Sequence, residues 1–271
     1  LLAALDPTGL EAALQAADAD KNLPLHIAVE AGNAEAAQRI LARSRATDTP
    51  GREGYPPLLL AALHRQPELV SLLLDQKADV LLKAGKAKIA PIHAAAAAGT
   101  VGVVSMLIRG RADVAARDGH GNSALHCAAQ SGNDECVAMV LEAKADIAAV
   151  DNNSASALHN AVFSGAVAVV EQLLAAKAPV GELMKGRMSA LHLAASKGHA
   201  RLLSVLLDCP QLELDGADEN KRTALHLAAL QNHPGCVKAL LERGARRELK
   251  DANGQVAEQL ARQRGHGACA R

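Results

Sequence analysis

Histidine is the residue type in this sequence whose number and spacing could support chemistry. Six of the eleven histidines follow a leucine or isoleucine and recur with a spacing of 33 or 34 residues, apart from one interval about twice as long. They are His26, His93, His126, His159, His192 and His226. A neutral imidazole can bind a metal ion or accept a proton, but the ligands of one zinc site usually lie a few residues apart. One histidine per recurring unit is explained by the repetition itself, so we expect neither a metal site nor a catalytic base.

The five cysteines are the other candidates for reactive groups. Their odd number and irregular spacing are typical of a reducing compartment and do not indicate a disulfide framework. Cys127, Cys136 and Cys236 fall within helical patterns, where small buried thiols are expected. Cys209 lies in a loop and Cys269 lies near the end of the sequence, so both are predicted to be more exposed. No neighbouring residue favours an activated thiolate.

Two short motifs resemble ligand-binding loops but lack required residues. The segment 18–22 begins like a calcium loop, yet Leu23 occupies the sixth position, which needs glycine, and Val29 the twelfth, which needs glutamate. The segment 119–124 matches a loose dinucleotide fingerprint, but no buried strand precedes it. The sequence contains no Walker A loop, HExxH motif or Gly-x-Ser-x-Gly elbow. We therefore predict no catalytic residues, no metal, no cofactor and no enzymatic activity.

The composition disfavours nucleic-acid and membrane partners. Basic and acidic residues number 29 each, so the chain has no net field to attract a polyanion. One tyrosine, one phenylalanine and no tryptophan leave few rings on which single-stranded bases could stack. The uncharged stretch Ile89–Ile108 is long enough to cross a bilayer. It contains Pro91, Gly99 and Gly102 and fits the recurring pattern, so we predict a helix pair there and no membrane span.

A period of 33 or 34 residues organises the sequence. Each unit starts with a Ser/Thr-Pro/Ala-Leu-His motif, continues through small residues to a glycine, and ends with Val-x-x-Leu-Leu and Ala-Asp. The second motif position is occupied by Pro24, Pro57, Pro91, Ala124, Ala157, Ala190, Ala224 and Ala257. A period of this length is typical of a solenoid, in which units too small to fold alone bury their apolar faces against neighbours.

The unit 123–146 shows the expected local structure. Small and apolar residues at its start form one face of a first helix. Gly132 should end that helix, because glycine adopts a positive φ without a Cβ penalty. Val137, Val140 and Leu141 then mark the buried stripe of a second helix.

These motifs resemble ankyrin repeats. The variants here include SALHCAAQSG from Ser123, SALHLAASKG from Ser189 and TALHLAALQN from Thr223, and the resemblance runs from about Asp18 to Gly265. It implies an all-α ankyrin-repeat solenoid, in which each unit places a turn or hairpin "finger" before two antiparallel helices. The units would stack into a curved, right-stacked array. The resemblance also implies that the motif histidine joins loop backbone to the Ser or Thr hydroxyl.

The same register predicts the domain organisation. We expect one ankyrin-repeat domain over residues 1–271, with capping helices in 1–17, seven repeats in 18–250 and a capping repeat in 251–271. The last unit carries arginines and should therefore have a solvated face.

The first half of the chain departs most from the motif. Leu59 stands at a histidine position, and Arg65 stands at a glycine position that requires a left-handed backbone. Asn232, at the equivalent position of the seventh repeat, tolerates that conformation better. Drift with compensation elsewhere and adaptation to a partner both explain these departures.

The family's partner surface consists of the finger tips and the concave side of the first helices. By register, the concave positions are the two residues before each glycine position. The concave candidates are Leu63, His64, Ala97, Gln130, Phe163, Lys197, Leu230 and Gln231. Phe163 is the predicted anchor, because aromatic residues dominate interface hot spots. The alternative is that its ring packs sideways on the neighbouring repeat.

Basic residues prevail among the finger-tip candidates. These candidates are Arg52, Tyr55, Lys86, Lys88, Lys185, Arg187 and Arg222. Such a surface would favour an acidic protein partner. Solvated loop charges without a binding role are the alternative.

The predicted function is a non-catalytic scaffold or adaptor that binds a protein partner on the concave groove and finger tips. One alternative is the regulatory or targeting arm of a larger enzyme or channel, and another is an architectural subunit of a cytoskeletal or ciliary assembly. The sequence begins at Leu1 instead of Met, so it could belong to a longer chain or complex. We expect a cytoplasmic location, with cytoskeletal or ciliary association as a further possibility.

Overall fold

A computed structural model describes residues 13–44 and 46–270. Its helices come in pairs joined by turns of two or three residues. The pairs are α1 (Pro24–Glu30) and α2 (Ala34–Leu41), α3 (Pro57–Leu63) and α4 (Pro67–Asp75), α5 (Pro91–Ala97) and α6 (Val101–Arg109), α7 (Ala124–Ser131) and α8 (Asp134–Glu142), α9 (Ala157–Ser164) and α10 (Val167–Ala175), α11 (Ala190–Lys197) and α12 (Ala200–Leu207), and α13 (Ala224–Leu230) and α14 (Pro234–Glu242). Helix α15 (Ala257–Gln263) follows them.

The first helix of each pair, and α15, are called inner helices below, and the second is called an outer helix. The segment that precedes an inner helix is its finger. Residues 13–15 are helical too, but most of the predicted capping segment 1–17 lies outside the described residues. The all-α fold is confirmed, because the described residues contain no strand.

The pair α7–α8 shows how sequence sets these boundaries. Helix α7 ends where predicted, with Gly132 at φ 75° in the left-handed region. Val137 and Val140 are fully buried, but Leu141 is only half-buried, so that part of the predicted stripe is wrong. The reason is that Cys136 is buried as well, which centres the stripe between residues 136 and 140 and leaves residue 141 at its edge.

One compact unit comprises the described residues up to 128 together with residues 138–145. Within it, α1 contacts α3 and α3 contacts α5, while α2 contacts α4 and α4 contacts α6. Leu58 and Leu59 of α3 and Ile92 of α5 are among its fully buried side chains. Leu59 therefore adds apolar burial at a position where other repeats have a hydrogen-bonding histidine.

A second compact unit comprises residues 129–137 and the described residues from 146 onwards. Within it, the inner helices α9, α11, α13 and α15 contact one another in succession, as do the outer helices α10, α12 and α14. Ala161, Ala194 and Ala228 are fully buried on three of the inner helices. Such small side chains let successive helices approach closely.

The fingers form tight turns that contain isolated β-bridges. Antiparallel bridges join Ala84 to Ile89, Val150 to Ser156 and Met184 to Met188. In the second unit each finger tip also bonds to the previous one through backbone atoms. The N–H groups of residues 185, 219 and 252 donate to the carbonyl oxygens of residues 153, 186 and 220, at 2.7, 3.0 and 2.8 Å.

The uncharged stretch Ile89–Ile108 folds as predicted into two helices, α5 and α6, with Gly99 at φ 66° between them. Across residues 13–44 and 46–270, no helix has the length and apolar character needed to cross a membrane. In α15, Glu258 and Arg262 pair on an exposed face, as expected for the last repeat.

Candidate protein-binding surface

Four of the motif histidines join their inner helix to the next finger. At His192, Nδ1 accepts a hydrogen bond from the backbone N–H of Ser189, whose hydroxyl lies 2.8 Å away. Because Nδ1 is an acceptor, the proton lies on Nε2, which donates to the carbonyl oxygen of Arg222 at 3.0 Å. The predicted bridge between the loop backbone and the hydroxyl is therefore present, and it extends to the following finger.

The bond from Nε2 to the next finger recurs at three other motif histidines. Nε2 of His26, His93 and His226 donates to the carbonyl oxygens of residues 49, 116 and 255, at 2.9, 2.8 and 3.1 Å. Burial lowers the pKa of these three histidines and of His192, although backbone hydrogen bonds partly oppose this shift. These rings are kept neutral and fully engaged, which is the chemistry of a structural residue.

The thiols are mostly inert by burial. Burial raises the pKa of Cys127 to about 12 and the pKa values of Cys136 and Cys236 to about 11, so few thiolates exist at neutral pH. Cys209 is half-buried. The predicted exposure of Cys269 is wrong, since its side chain is only 6% exposed. Residues 268–270 line a small apolar cavity together with residues of α13 and α14. Cys269 is buried because the last residues pack against these helices.

Titratable side chains do not gather into a metal centre in the described part of the chain. Within these residues, no group of three or more His, Cys, Asp or Glu side chains could hold a metal ion.

The concave candidates lie at the C-terminal ends of the inner helices, and nearly all are exposed. Phe163 is 51% exposed and Leu63 is 39% exposed, although both are large apolar residues. Leu230 is half-buried. The remaining candidates His64, Ala97, Gln130, Lys197 and Gln231 are exposed. The register of the repeat thus identified surface positions correctly, whereas their role in binding stays a prediction.

Phe163 and Lys197 form a pair across two neighbouring inner helices of the second unit. The Lys197 Nζ lies over the Phe163 ring, 4.1 Å from its centroid. A cation over the face of a ring is attracted by the ring's negative quadrupole, by about 0.5–1 kcal/mol at an exposed site. The ring therefore does contact the neighbouring repeat, as the alternative interpretation proposed, yet half of its surface stays open to solvent.

The surroundings of Lys197 lack a compensating charge. Helices α9, α11 and α13 contain no aspartate or glutamate, and Lys197 is their only lysine or arginine. In the second unit, ion pairs of the described residues lie in fingers, in outer helices or in α15. Lys197 takes part in none of them, so none of these carboxylates neutralises the ammonium group that lies over the Phe163 ring.

The finger-tip candidates differ in how free they are. Exposed side chains are found at Arg52, Lys86, Lys88, Lys185 and Arg187.

Two finger-tip candidates are held by their own surroundings. Arg222 is engaged within its own finger, where its guanidinium binds the buried carboxylate of Asp218 at 2.7 Å. Tyr55 is half-buried against Gly85, and burial together with Glu53 raises the pKa of its phenol.

Sequence reasoning missed a second row of histidines that follows the glycine position. His233 Nε2 donates to the carbonyl oxygen of Ser196 at 3.1 Å, near the end of α11, and His266 Nδ1 lies 3.1 Å from the carbonyl oxygen of Ala229. A recurring Gly-His or Asn-His pair at 198–199, 232–233 and 265–266 was the available signal. Ile27 was missed too, although it is an apolar inner-helix residue that is half exposed.

Comparison with known proteins decides the family. Three matches to the family described as "Ankyrin repeats (3 copies)" cover residues 2–84, 81–151 and 158–251. The chain belongs to the ankyrin-repeat family. Ankyrin repeats are in general protein–protein interaction modules, and their extended surfaces serve that purpose.

Two known proteins are similar to this ankyrin domain. Human NF-kappa-B inhibitor epsilon is 45% identical over 72 residues, which make up 27% of this chain and 14% of that protein. The crystal structure of the human ASB11 ankyrin repeat domain matches with a TM-score of 0.71 and 26% identity, covering 76% of this chain and 92% of that domain. The chain thus matches only a small part of the inhibitor's length, and most of the ASB11 domain.

Proposed function

We propose that this ankyrin domain is a non-catalytic scaffold or adaptor that binds a protein partner through the ends of its inner helices and its finger tips. The observation that carries the proposal is the exposure of Phe163, the only phenylalanine in the chain, at 51%. Aromatic side chains are enriched among the few residues that carry most of the binding energy of a protein interface.

The mechanism is display on a prearranged surface. The inner helices are fixed by buried alanines and by the histidine bridges, so their exposed ends lose little conformational freedom when a partner binds. No proton transfer or covalent step is required, and the neutral, hydrogen-bonded imidazoles supply none.

The first prediction concerns Phe163→Ala. This variant should weaken binding of a native partner by about tenfold or more, since a central aromatic anchor typically contributes at least 1–2 kcal/mol. The tagged wild-type and variant chains would be used to capture partners from lysate of the native cells, followed by quantitative mass spectrometry. Calorimetry on the recovered partner would then give the two affinities.

The matched control is Leu81→Ala, which removes a similarly exposed apolar side chain at a position that is not among the binding candidates. It should leave the affinity unchanged. Both variants should melt within about 3 °C of the wild type, because neither side chain is buried. Equal affinity of the wild type and Phe163→Ala would contradict the proposal for this site.

A further inference from the structure

The pair Phe163–Lys197 has a chemistry of its own within the surface proposed above. One side of the ring is covered by an ammonium group, and about half of the aromatic side chain is open. An ammonium group has three N–H donors, and the ring accepts from only one direction. The others remain available to an acceptor on a partner.

The repeat that supplies Lys197 also carries basic residues in its finger. Its finger carries Lys185 and Arg187, both exposed and without a salt bridge in the described structure, against the single acidic residue Glu182. Two carboxylates of the following finger are less available, because Asp218 binds Arg222 and Asp215 binds Arg246 at 3.0 Å. Two carboxylates remain as competitors: Glu219 packs near Gly186 at this tip, and Glu213 lines the same cavity as Arg187.

Residues on both sides of Lys197 hold its backbone in place. His233 donates to the carbonyl oxygen of Ser196, the residue before Lys197, and Gly198 follows at φ 77°. The backbone that carries the ammonium group is therefore held at the end of α11, and a partner meets a preformed site.

We infer that this site binds a short acidic segment of a partner protein, with an apolar side chain against Phe163 and a neighbouring carboxylate on Lys197. The inference rests on the proposed function and specifies its partner. A neutral or basic segment would cover the Lys197 charge without compensating it, which is unfavourable in a desolvated contact. A carboxylate restores the lost hydration through charge-assisted hydrogen bonds. Lys185 and Arg187 would then attract flanking acidic residues.

The test is a selection of random 12-residue peptides displayed on phage, with the full 271-residue chain as the target. We expect recovered peptides to contain aspartate or glutamate next to a leucine, isoleucine or phenylalanine. Synthetic versions of the recovered peptides would be titrated against the chain by fluorescence anisotropy. Binding should weaken as the salt concentration rises.

Four variants make the result specific. Lys197→Ala and Phe163→Ala should each weaken the peptides about tenfold, whereas Lys197→Arg, which keeps the charge and the ring contact, should change binding less than about threefold. Lys197→Glu should abolish binding of the acidic peptides. Thermal unfolding of each variant checks that the exposed substitutions leave the fold intact.

The outcomes separate this inference from the proposed function. Peptides that depend on Phe163 but are neutral or basic, and that bind Lys197→Ala as tightly as the wild type, would overturn the inference and leave the scaffold function standing. A selection that returns no peptide sensitive to Phe163→Ala would also overturn the inference. The proposed function is tested separately: its assignment to this site fails if the native partner binds the wild type and Phe163→Ala equally well.

Discussion

At the scale of single residues, the imidazole of His192 contacts both the start of its own helix and the next finger. His192 accepts from the Ser189 backbone, lies within hydrogen-bond distance of the Ser189 hydroxyl, and donates to the Arg222 carbonyl oxygen on the next finger. The ring is buried, so each of these groups would otherwise lose its hydration without replacement.

Replacing this ring should therefore be costly. We predict that His192→Ala lowers the free energy of unfolding by about 2–4 kcal/mol, since it empties a buried site and leaves polar groups unpaired. Urea denaturation would measure the change. His120→Ala removes an exposed finger-tip histidine and should change stability by less than about 0.5 kcal/mol. Equal effects of the two substitutions would refute the structural role.

Residue-level contacts are also where sequence reasoning stopped. The exposure of Phe163 followed from register, but the position of Lys197 over its ring depends on two side-chain rotamers that no spacing specifies. Arg222 was predicted as a free finger-tip charge, whereas a salt bridge to buried Asp218 occupies it. Such pairings depend on the packed surroundings of each side chain, which a period of 33 residues does not encode.

At the scale of elements, the turn after the inner helix α11 combines a backbone requirement with a packing requirement. Gly198 has φ 77°, and a Cβ built on it would lie 2.5 Å from the His233 ring. Gly244, in the turn after the outer helix α14, has φ 85° but nothing within 4 Å of such a Cβ. The glycine pattern predicted the first requirement, while the ring that occupies the space beside Gly198 comes from the next repeat and was not foreseen.

Comparing alanine substitutions at Gly244 and Gly198 separates backbone strain at positive φ from steric crowding of the added Cβ. We predict that Gly244→Ala costs about 1 kcal/mol, which is the usual penalty for a Cβ at positive φ. Gly198→Ala should cost about 1–3 kcal/mol more, because the His233 ring must move and lose its bond to the Ser196 carbonyl oxygen. Thermal or urea unfolding of both variants provides the measurement. A Gly198→Ala variant no less stable than Gly244→Ala would show that the ring yields freely.

At the scale of the whole molecule, the recurring histidines make stability depend on pH. Burial lowers the pKa of His26, His93, His192 and His226 in the folded chain, so the unfolded chain binds more protons below about pH 6.5. The stability contributed by the neutral rings is complete above that pH. It is lost progressively as the pH falls toward the lowered folded values.

We therefore predict that the urea concentration at the unfolding midpoint decreases as the pH is lowered from about 7.5 to about 5.5. Most carboxylates titrate only below this range. A His192→Asn variant, which lacks one of the four rings whose pKa is lowered, should lose less stability over the same interval than the wild type. A midpoint that stays constant or rises on acidification would contradict the depressed pKa values.

The repeat architecture was the most predictable part of the molecule, because burial between similar units forces one pattern on each. The helix pairs, the left-handed Gly132 and the histidine positions followed from it. The burial of Cys269 did not, since it depends on how the last residues fold against α13 and α14. The burial of residues at the end of a repeat array depends on which other residues pack against them, and the repeat pattern does not specify this.

The backbone bonds between successive finger tips bear on how such a protein diversifies. Because the N–H groups of residues 185, 219 and 252 make these bonds, any residue except proline can stand at those positions without breaking them. Side chains at the tips can thus be exchanged to recognise new ligands while the distance from one tip to the next stays the same. Substitutions at the finger tips can therefore change binding specificity while the backbone of the fingers is retained.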